Sequence, residues 1–201
     1  MQSRRLSNDV IEISGGVQPS SNVYLIISKK ILIDLGSRVQ AYEIANELAK
    51  YRTKPTDIKI VIFTHLHFDH TGSLGMFSNA KFYASQEELD SLKLPINLSF
   101  ASKFRGIKLN PLGDKIESLK VIRTPGHTSG SVCLWKEDDQ ILFSGDTLFR
   151  TGAIGRTDLP TSIPSKMQSS LMKLARYNYE ILAPGHNLEH GKLLRRNIKI
   201  L

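Results

Sequence analysis

The stretch "IKIVIFTHLHFDHTG", residues 58–72, joins an apolar run to a cluster of histidines. Residues 58–64 are almost continuously apolar, which is typical of a β-strand buried on both faces. Four potential metal ligands follow this run at once: His65, His67, Asp69 and His70. Side chains at i and i+2 point to different sides of a helix, so this cluster cannot lie on one helical face. We therefore predict a loop that folds around metal ions at the end of a buried strand.

Three further strand ends carry a histidine or an aspartate. His127 follows Pro-Gly in "TPGHTSG", Asp146 ends "ILFSGD", and His186 follows Pro-Gly in "YEILAPGH". A Pro-Gly turn changes the direction of the chain and presents the next side chain. Loops at strand ends are common positions for functional residues because a rigid scaffold holds them. We expect these three residues to converge on the first cluster.

The types and the number of these side chains indicate the metals. Imidazole and carboxylate without thiolate suit zinc, iron, manganese or nickel, and a site rich in histidine disfavours magnesium and calcium. A single tetrahedral zinc takes four ligands, and in a catalytic site one of those positions is open. Five histidines and two aspartates are too many for one such ion. They suit two metals that share a carboxylate.

The rest of the chain predicts two runs of strands with helices between and after them. Such an order indicates two packed sheets with helices outside, an α/β architecture. The predicted strands are 10–17, 22–28, 31–36, 58–64, 81–84, 119–127, 131–135, 141–146 and 179–186, and the predicted helices are 39–51, a short one at 72–77, 86–93 and 163–176. Residues 95–118 show no clear pattern.

The charge of the chain decides little about its partners. The net charge is +8, and half of it comes from Lys192, Arg195, Arg196 and Lys199 near the end of the sequence. We interpret that segment as a solvated packing helix, because no helix-turn-helix, zinc-finger or ribonucleoprotein pattern supports a nucleic-acid partner. No apolar stretch is long enough to cross a bilayer, and no secretory signal precedes the fold. With a single cysteine, Cys133, which we predict to be a buried apolar residue, these features favour the cytoplasm.

Five motifs together resemble a known family. "THLHFDHTG", "PGHTSGS", "LFSGDTLF", "GRTD" and "PGH" are similar to the successive motifs of the metallo-β-lactamase superfamily, and most similar to its short glyoxalase II-like branch of hydroxyacylglutathione hydrolases. The resemblance runs from about residue 10 to 190 and the motifs come in the order of the family. It implies an αββα sandwich of two mixed β-sheets flanked by helices, with the metals at one edge of the sheets. We expect one such domain over residues 1–201.

The resemblance also implies a role for each candidate ligand. His65, His67 and His127 match the ligands of a first metal, and Asp69, His70 and His186 match those of a second. Asp146 matches the carboxylate that bridges the two. Two divalent ions, zinc by expectation with iron or manganese as alternatives, would hold a hydroxide that attacks a carbonyl carbon. Asp69 and Asp146 are therefore the predicted catalytic residues, Asp69 with a duty resembling that of a general base.

The substrate residues are predicted from the loop "DTLFRTGAIGRTD", residues 146–158. In glyoxalase II the corresponding loop ends in a cation that helps to hold glutathione, and Arg156 is the nearest match, although the loop is one residue longer here. Arg150 is a second candidate, and guanidinium groups pair well with carboxylates. These residues predict a small acidic thioester as substrate. An ion pair between Arg156 and Asp158 within the loop is the alternative.

Two departures from glyoxalase II, the longer loop and the expected lack of a C-terminal region, keep other functions open. Glyoxalase II enzymes carry a C-terminal helical glutathione-binding region, and only about 15 residues follow His186 here, so we expect that region to be missing. His190 in this tail is interpreted as a surface residue or an outer partner of the metal site. Persulfide dioxygenases share the "GRTD" loop and use one iron bound by residues that match His65, His127 and Asp146. A nuclease resembling RNase Z is a third hypothesis, with residues 95–118 as the place for a substrate-binding arm.

Overall fold

The computed structural model describes residues 1–17 and 19–187, and for Leu98 and Ser99 it describes the backbone alone. The predictions for His190 and for the basic tail lie outside the described residues. Within them, two β-sheets are stacked face to face. The first sheet has seven strands in the order β1 to β7: β1 (Gln2–Arg5), β2 (Val10–Ser14), β3 (Val23–Ile26), β4 (Ile31–Ile33), β5 (Ile60–Ile62), β6 (Lys81–Ala84) and β7 (Leu109–Pro111).

The second sheet has five strands in the described part of the chain, in the order β12-β11-β10-β9-β8. Both sheets are mixed. In the first, β1 to β4 pair antiparallel and β4 to β7 pair parallel. In the second, the pair formed by β11 and β12 is parallel and the others are antiparallel. The strands are β8 (Lys115–Ile116), β9 (Leu119–Arg123), β10 (Val132–Lys136), β11 (Ile141–Gly145) and β12 (Ile181–Pro184).

Three apolar layers hold the sheets and helices together. The central layer lies between the sheets and joins residues such as Tyr24 and Ile33 to Val121 and Phe143. A second layer packs the first sheet against α1 through Ile44 and Leu48. A third packs the second sheet against α4, and Cys133 lies in it, fully buried as predicted. The four α-helices of the described residues are α1 (Ala41–Ala49), α2 (Gln86–Ser91), α3 (Leu98–Ala101) and α4 (Pro164–Leu174).

The arrangement confirms the predicted αββα sandwich and corrects several element bounds. Six of the nine predicted strands are three or four residues shorter in the structure, and the short helix predicted at 72–77 is a single 3₁₀ turn, Leu74–Met76. The patternless segment contains short helical turns as well as β7. Sequence inspection missed β1, because "QSRR" has no apolar alternation and the strand is held at the edge of the sheet by pairing with β2.

No helix within residues 1–17 and 19–187 combines the length and apolar character required to span a bilayer.

Candidate metal centre

The candidate ligands of both sheets meet at one edge of the sandwich. Backbone hydrogen bonds bring the strand ends together: the amide of Val132 donates to the carbonyl of Thr64 (2.9 Å), and the amide of Asn22 donates to the carbonyl of Gly185 (2.6 Å). The amide of Gly185 donates in turn to the carbonyl of Gly145 (2.7 Å). The loop after β5 therefore lies directly against the loops that follow β9, β11 and β12. All seven predicted ligands are found there.

Glycines allow this close approach of the loops. A Cβ on Gly185 would lie 2.1 Å from Oδ1 of Asp146, closer than real Cβ contacts permit. Gly145 has a φ of +48°, and its Cβ would lie 2.7 Å from the Cβ of Thr64. A larger residue at either position would push the loop of Asp146 or His186 away from the loop after β5. The glycines of "SGD" and "PGH" are therefore required by packing.

Three histidines form the first group of ligands. Nδ1 of His67 lies 3.0 Å from Nε2 of His65 and 2.9 Å from Nε2 of His127. Nδ1 of His127 donates to the carbonyl of Arg156 (2.7 Å), so its Nε2 carries no proton in the neutral ring. Nδ1 of His65 lies 3.2 Å from the hydroxyl of Thr64. In His65 and His127, Nδ1 is thus engaged by a hydrogen bond. The lone pair on Nε2 of each ring therefore points towards His67.

Asp69, His70 and His186 form the second group, and they are close enough to hold one ion. Nε2 of His186 lies 3.1 Å from Oδ2 of Asp69. Nδ1 of His70 is 2.8 Å from Oδ2 of Asp34, so the opposite nitrogen of this ring faces the group. Asp69 and His70 come from the loop after β5, whereas His186 follows β12. The second group therefore also depends on both sheets.

The carboxylate of Asp146 lies between the two groups. Its Oδ1 is 3.4 Å from Nε2 of His70, and its Oδ2 is 3.5 Å from Nε2 of both His127 and His186. One carboxylate thus contacts histidines of the first and of the second group. This is the placement that the sequence predicts for a bridging ligand.

Burial and neighbouring charges set the protonation of the ligands. Burial, followed by the charges of His127 and His70, lowers the pKa of His67 to about 4. Burial with the neighbouring histidines lowers the pKa of His65 well below its ordinary value, and burial lowers the pKa of His127. Because metals bind the neutral imidazole, all three histidines of the first group are in the metal-binding form.

The second group has the opposite electrostatics. Burial opposes a charged His70, but the carboxylates of Asp34 and Asp146 outweigh it and raise the pKa of His70 well above its ordinary value. Burial also opposes ionisation of Asp69 and Asp146, but the surrounding histidines outweigh it and lower the pKa of both carboxyl groups. Both carboxylates are therefore charged at neutral pH, and they attract cations to this edge of the sandwich.

Two buried atoms support the fit of a metal. Within residues 1–17 and 19–187, Nε2 of His70 and Oδ1 of Asp146 are buried without a hydrogen-bond partner. A buried polar atom left unpaired costs about 1–3 kcal/mol. A cation between these atoms would displace the proton of His70 and engage both lone pairs, and the donor set of imidazoles and carboxylates suits zinc, iron or manganese. The residues present therefore fit the two ions that the sequence predicts.

Asp34 is a site residue that sequence inspection missed. It is buried after β4, where its carboxylate accepts hydrogen bonds from the amide (2.9 Å) and the hydroxyl (2.8 Å) of Thr64 as well as from His70. Its φ of +56° is uncommon for a residue other than glycine. The available signal was an aspartate directly after an apolar strand in "ILIDLG", which is weak because it has no characteristic spacing.

Glu88 is a second missed residue, and it supports two of the loops. Its buried carboxylate accepts hydrogen bonds from the amide of Leu66 (2.8 Å) and from the hydroxyl of Thr128. The hydroxyl of Ser85, which caps α2, donates to the carbonyl of Gly130 (2.6 Å). The spacing of Ser85 and Glu88 matches a capping box. The glutamate also fixes the loops that carry His67 and His127.

A cavity of about 870 Å³ opens onto the centre. His67, Asp69, His127, Asp146 and His186 line it, as does Arg156. The exposed guanidinium of Arg156 pairs through two nitrogens with Asp158 (2.9 and 2.8 Å), so the structure shows the ion pair that was the alternative for this residue.

Arg150 is placed differently from the prediction and is not among the residues that line the cavity. Its guanidinium donates to Oε1 of the fully buried Glu12 (2.7 Å), to the carbonyl of Leu182 (3.1 Å) and to Asn187. All of these contacts of the Arg150 side chain are within the protein, and two of them are with residues on either side of His186 in the sequence. These contacts do not favour the predicted role of Arg150 as a substrate residue.

A sequence profile of the metallo-β-lactamase superfamily matches residues 16–186. The chain belongs to this superfamily. The match spans every candidate ligand, from His65 to His186, and so confirms the predicted family. A probable metallo-hydrolase of the superfamily, MJ0888 of Methanocaldococcus jannaschii, is 38% identical over 186 residues, which cover 83% of this chain and 87% of that protein.

Two further proteins are similar to this chain. A hydroxyacylglutathione hydrolase of Francisella tularensis subsp. novicida is 31% identical over 141 residues, which cover 68% of this chain and 52% of that protein. Among solved structures, TTHA1623 in a di-iron-bound form has a TM-score of 0.70 at 27% identity, over 90% of this chain and 93% of that chain. This chain is thus a metallo-hydrolase-like member of the superfamily with a candidate histidine and aspartate metal site.

Proposed function

We propose that the protein is a dinuclear metal-dependent hydrolase of glyoxalase II type, which cleaves a thioester such as a 2-hydroxyacylglutathione. The observation that supports this proposal best is the position of Asp146. Its two carboxylate oxygens contact histidines of both ligand groups, at 3.4 and 3.5 Å. A shared carboxylate suits a pair of metal ions, and a single catalytic ion held by three residues would leave four of the seven candidate ligands unused.

The residues would divide the work as follows. His65, His67 and His127 would hold one ion, Asp69, His70 and His186 the other, and Asp146 both; zinc is proposed, and iron or manganese suits the same donors. The ions would supply a hydroxide near neutral pH and polarise the thioester carbonyl. Asp69 is ionised and lies at the cavity wall, so it would accept a hydrogen bond from the attacking water and orient it.

Arg156 is proposed to hold an acidic thiol. It is the one lining residue, within the part of the chain that the structure describes, that carries a permanent positive charge. Its partner Asp158 is exposed, and surface ion pairs of this kind contribute little free energy. A carboxylate of a thiol such as glutathione can therefore replace Asp158 as the partner of the guanidinium.

The experiment measures metal content and two activities on the same purified protein. We expect two metal ions per chain, hydrolysis of S-lactoylglutathione, and no oxygen uptake with glutathione persulfide. His67→Ala should abolish hydrolysis and lower the metal content. The control is Tyr42→Ala, since Tyr42 is an exposed residue on α1. This variant should change neither the hydrolysis rate nor the metal content.

Each alternative predicts a different result of this experiment. One iron per chain with oxygen uptake would contradict the hydrolase and favour a persulfide dioxygenase. Inactivity in both assays, with cleavage of a transfer RNA precursor, would favour the nuclease. Within the described residues, the segment suggested for an RNA-binding arm is instead occupied by short helical turns and β7, and α2 contacts β7.

A further inference from the structure

The cavity beside the metal centre is larger than a lactoyl group requires. Its volume of about 870 Å³ lies near the upper end of the range of roughly 300–1,000 Å³ in which proteins bind drug-sized ligands. Five candidate ligands form one side of this space, so a carbonyl at the metals would have its substituents inside the cavity. The chemistry of the remaining walls therefore determines which acyl groups are accepted.

Those walls are largely apolar and come from three separate segments. The loop after β5, the turns that follow α2, and the loop before α4 each contribute, through Leu66, Phe68, Leu92, Phe100, Leu159 and Pro160. Phe68 is 59% exposed although it lies between two candidate ligands in sequence. An apolar ligand that covers this exposed aromatic ring removes apolar surface from water, and this favours binding of the ligand.

Three of the polar side chains among these walls already have partners within the protein. The hydroxyl of Ser91 donates to the carbonyl of Glu88 (2.7 Å), and the side-chain amide of Asn97 donates to the carbonyl of Ser91 (2.9 Å). The carboxylate of Glu88 accepts from Leu66 and Thr128. A polar acyl group would lose its hydration without gaining new hydrogen bonds from these groups. An apolar chain would lose only its contact with water.

We propose that the acyl part of the substrate is an extended apolar chain, bound against Leu92, Phe100, Leu159 and Pro160. This inference rests on the proposed thioester hydrolysis. It departs from a small hydroxyacyl substrate, since the cavity offers apolar contact over more length than such a group has. Arg156, which lines the same cavity, remains the proposed partner of the acidic thiol.

The test uses thioesters that share glutathione and differ only in the acyl group: acetyl, butanoyl, hexanoyl and octanoyl, beside S-lactoylglutathione. With the metal-loaded protein, we expect kcat/KM to rise by about fourfold for each methylene that becomes buried. A flat or falling series, with S-lactoylglutathione cleaved fastest, would overturn the apolar acyl site and leave the hydrolase standing. If no member of the series is cleaved, thioester hydrolysis itself is wrong.

Two variants locate the effect. Phe100→Ala and Leu159→Ala, in two different segments of the wall, should each lower the ratio of octanoyl to acetyl kcat/KM by about fivefold or more. Tyr42→Ala should leave the ratio as it is. Since the ring of Phe100 also packs on Phe104, at 5.5 Å between centroids, Leu159→Ala keeps the test decisive if Phe100→Ala unfolds.

A binding measurement tests the cavity without hydrolysis. Acetohydroxamate and octanohydroxamate carry the same metal-binding group and differ only in their tails. Calorimetric titration of the metal-loaded protein should give a Kd for octanohydroxamate at least about tenfold lower than that for acetohydroxamate. A loss of this difference in Leu159→Ala would support the site even if no thioester is cleaved. Equal affinities in the unmodified protein would overturn it.

Discussion

At the scale of single residues, Asp34 connects both groups of candidate ligands. It accepts a hydrogen bond from His70 directly, and the hydroxyl of Thr64 that lies against His65 donates to the same carboxylate oxygen. One carboxylate therefore sets the orientation of a histidine in each group. Outer partners of this kind typically change metal affinity by about 10- to 100-fold when they are removed.

We predict that Asp34→Asn weakens metal binding by about 10- to 100-fold with little loss of folding stability. Asparagine tolerates the positive φ at this position, so the backbone is kept while the charge is lost. Competition with a chelating indicator measures both metal affinities. Asp9→Asn is a matched control, since Asp9 also accepts from the amide and the hydroxyl of one residue, Ser28 (both 2.8 Å). Unchanged affinities in Asp34→Asn would contradict the orienting role.

Arg150 and Arg156 lie in the same loop and form ion pairs of different kinds. Arg150 pairs with Glu12, which is fully buried, whereas Arg156 and Asp158 are both exposed. Removing one partner of a buried pair leaves a charge without compensation, at a cost of about 3 kcal/mol or more. An exposed pair contributes little.

We therefore expect Arg150→Ala to lower the free energy of unfolding by about 3 kcal/mol, less whatever Arg4, the second partner of Glu12, compensates. Arg156→Ala should leave stability unchanged and raise KM for an acidic thioester. Urea denaturation and steady-state kinetics on both variants separate the two effects. The reverse pattern would restore Arg150 as a substrate residue and contradict the structure.

At the scale of elements, the short helical segment of residues 98–104 is attached to the metal-binding loop through Lys103. Its Nζ donates to the hydroxyl of Thr71, which donates to the carbonyl of His67 (2.9 Å). The same ammonium lies 4.5 Å from the ring centroid of Phe100. Burial lowers the pKa of Lys103 to about 8, against the opposing attraction of Asp69.

This pKa predicts a pH dependence of folding stability. Between the folded value of about 8 and the ordinary value of 10.5, the unfolded chain holds a proton that the folded chain has released. Stability contributed by this group therefore rises with pH across that interval. Lys103→Met should remove the rise, while Lys93→Met, on an exposed lysine, should keep it. Urea unfolding at two pH values within the interval measures the difference between the variants. A rise of the same size in Lys103→Met would contradict the assignment.

At the scale of the whole molecule, the ligands of each group come from both sheets. The loop after β5 belongs to the first sheet, while His127, Asp146 and His186 follow strands of the second. Bound ions would therefore connect the sheets as well as serve chemistry. Because ligands that bind only the folded state stabilise it, a site with free metal at 100 times its Kd adds about 2.7 kcal/mol.

We expect removal of metal by a chelator to lower Tm, and re-addition of zinc to restore it. Calorimetry on the chelated and reloaded protein checks this. The variant His67→Ala should gain less from zinc, because one group has lost a ligand. An identical Tm with and without metal would show that the two sheets hold together without any help from the ions.

The sequence predicts the sandwich and the clustering of the candidate ligands because both follow from local patterns. An apolar run that ends in a histidine or aspartate places that residue at a strand end, and the structure brings all seven together. Contacts between distant residues carry no such pattern. Glu12, the partner of Arg150, lies 138 positions away in the sequence. The sequence therefore shows that the loop carries this arginine but not which residue its side chain contacts. Asp34 also follows an apolar run, but nothing in its local sequence shows that Thr64 and His70 lie beside it.

The distribution of ligands along the chain has a consequence for the order of folding. His65 and His186 are separated by more than half of the 201 residues, and they meet only after β12 has paired beside β11. Contacts between such distant segments form slowly. A complete pair of ions can therefore be captured only late, when both sheets are already in place, and metal uptake would report the completion of folding and not its start.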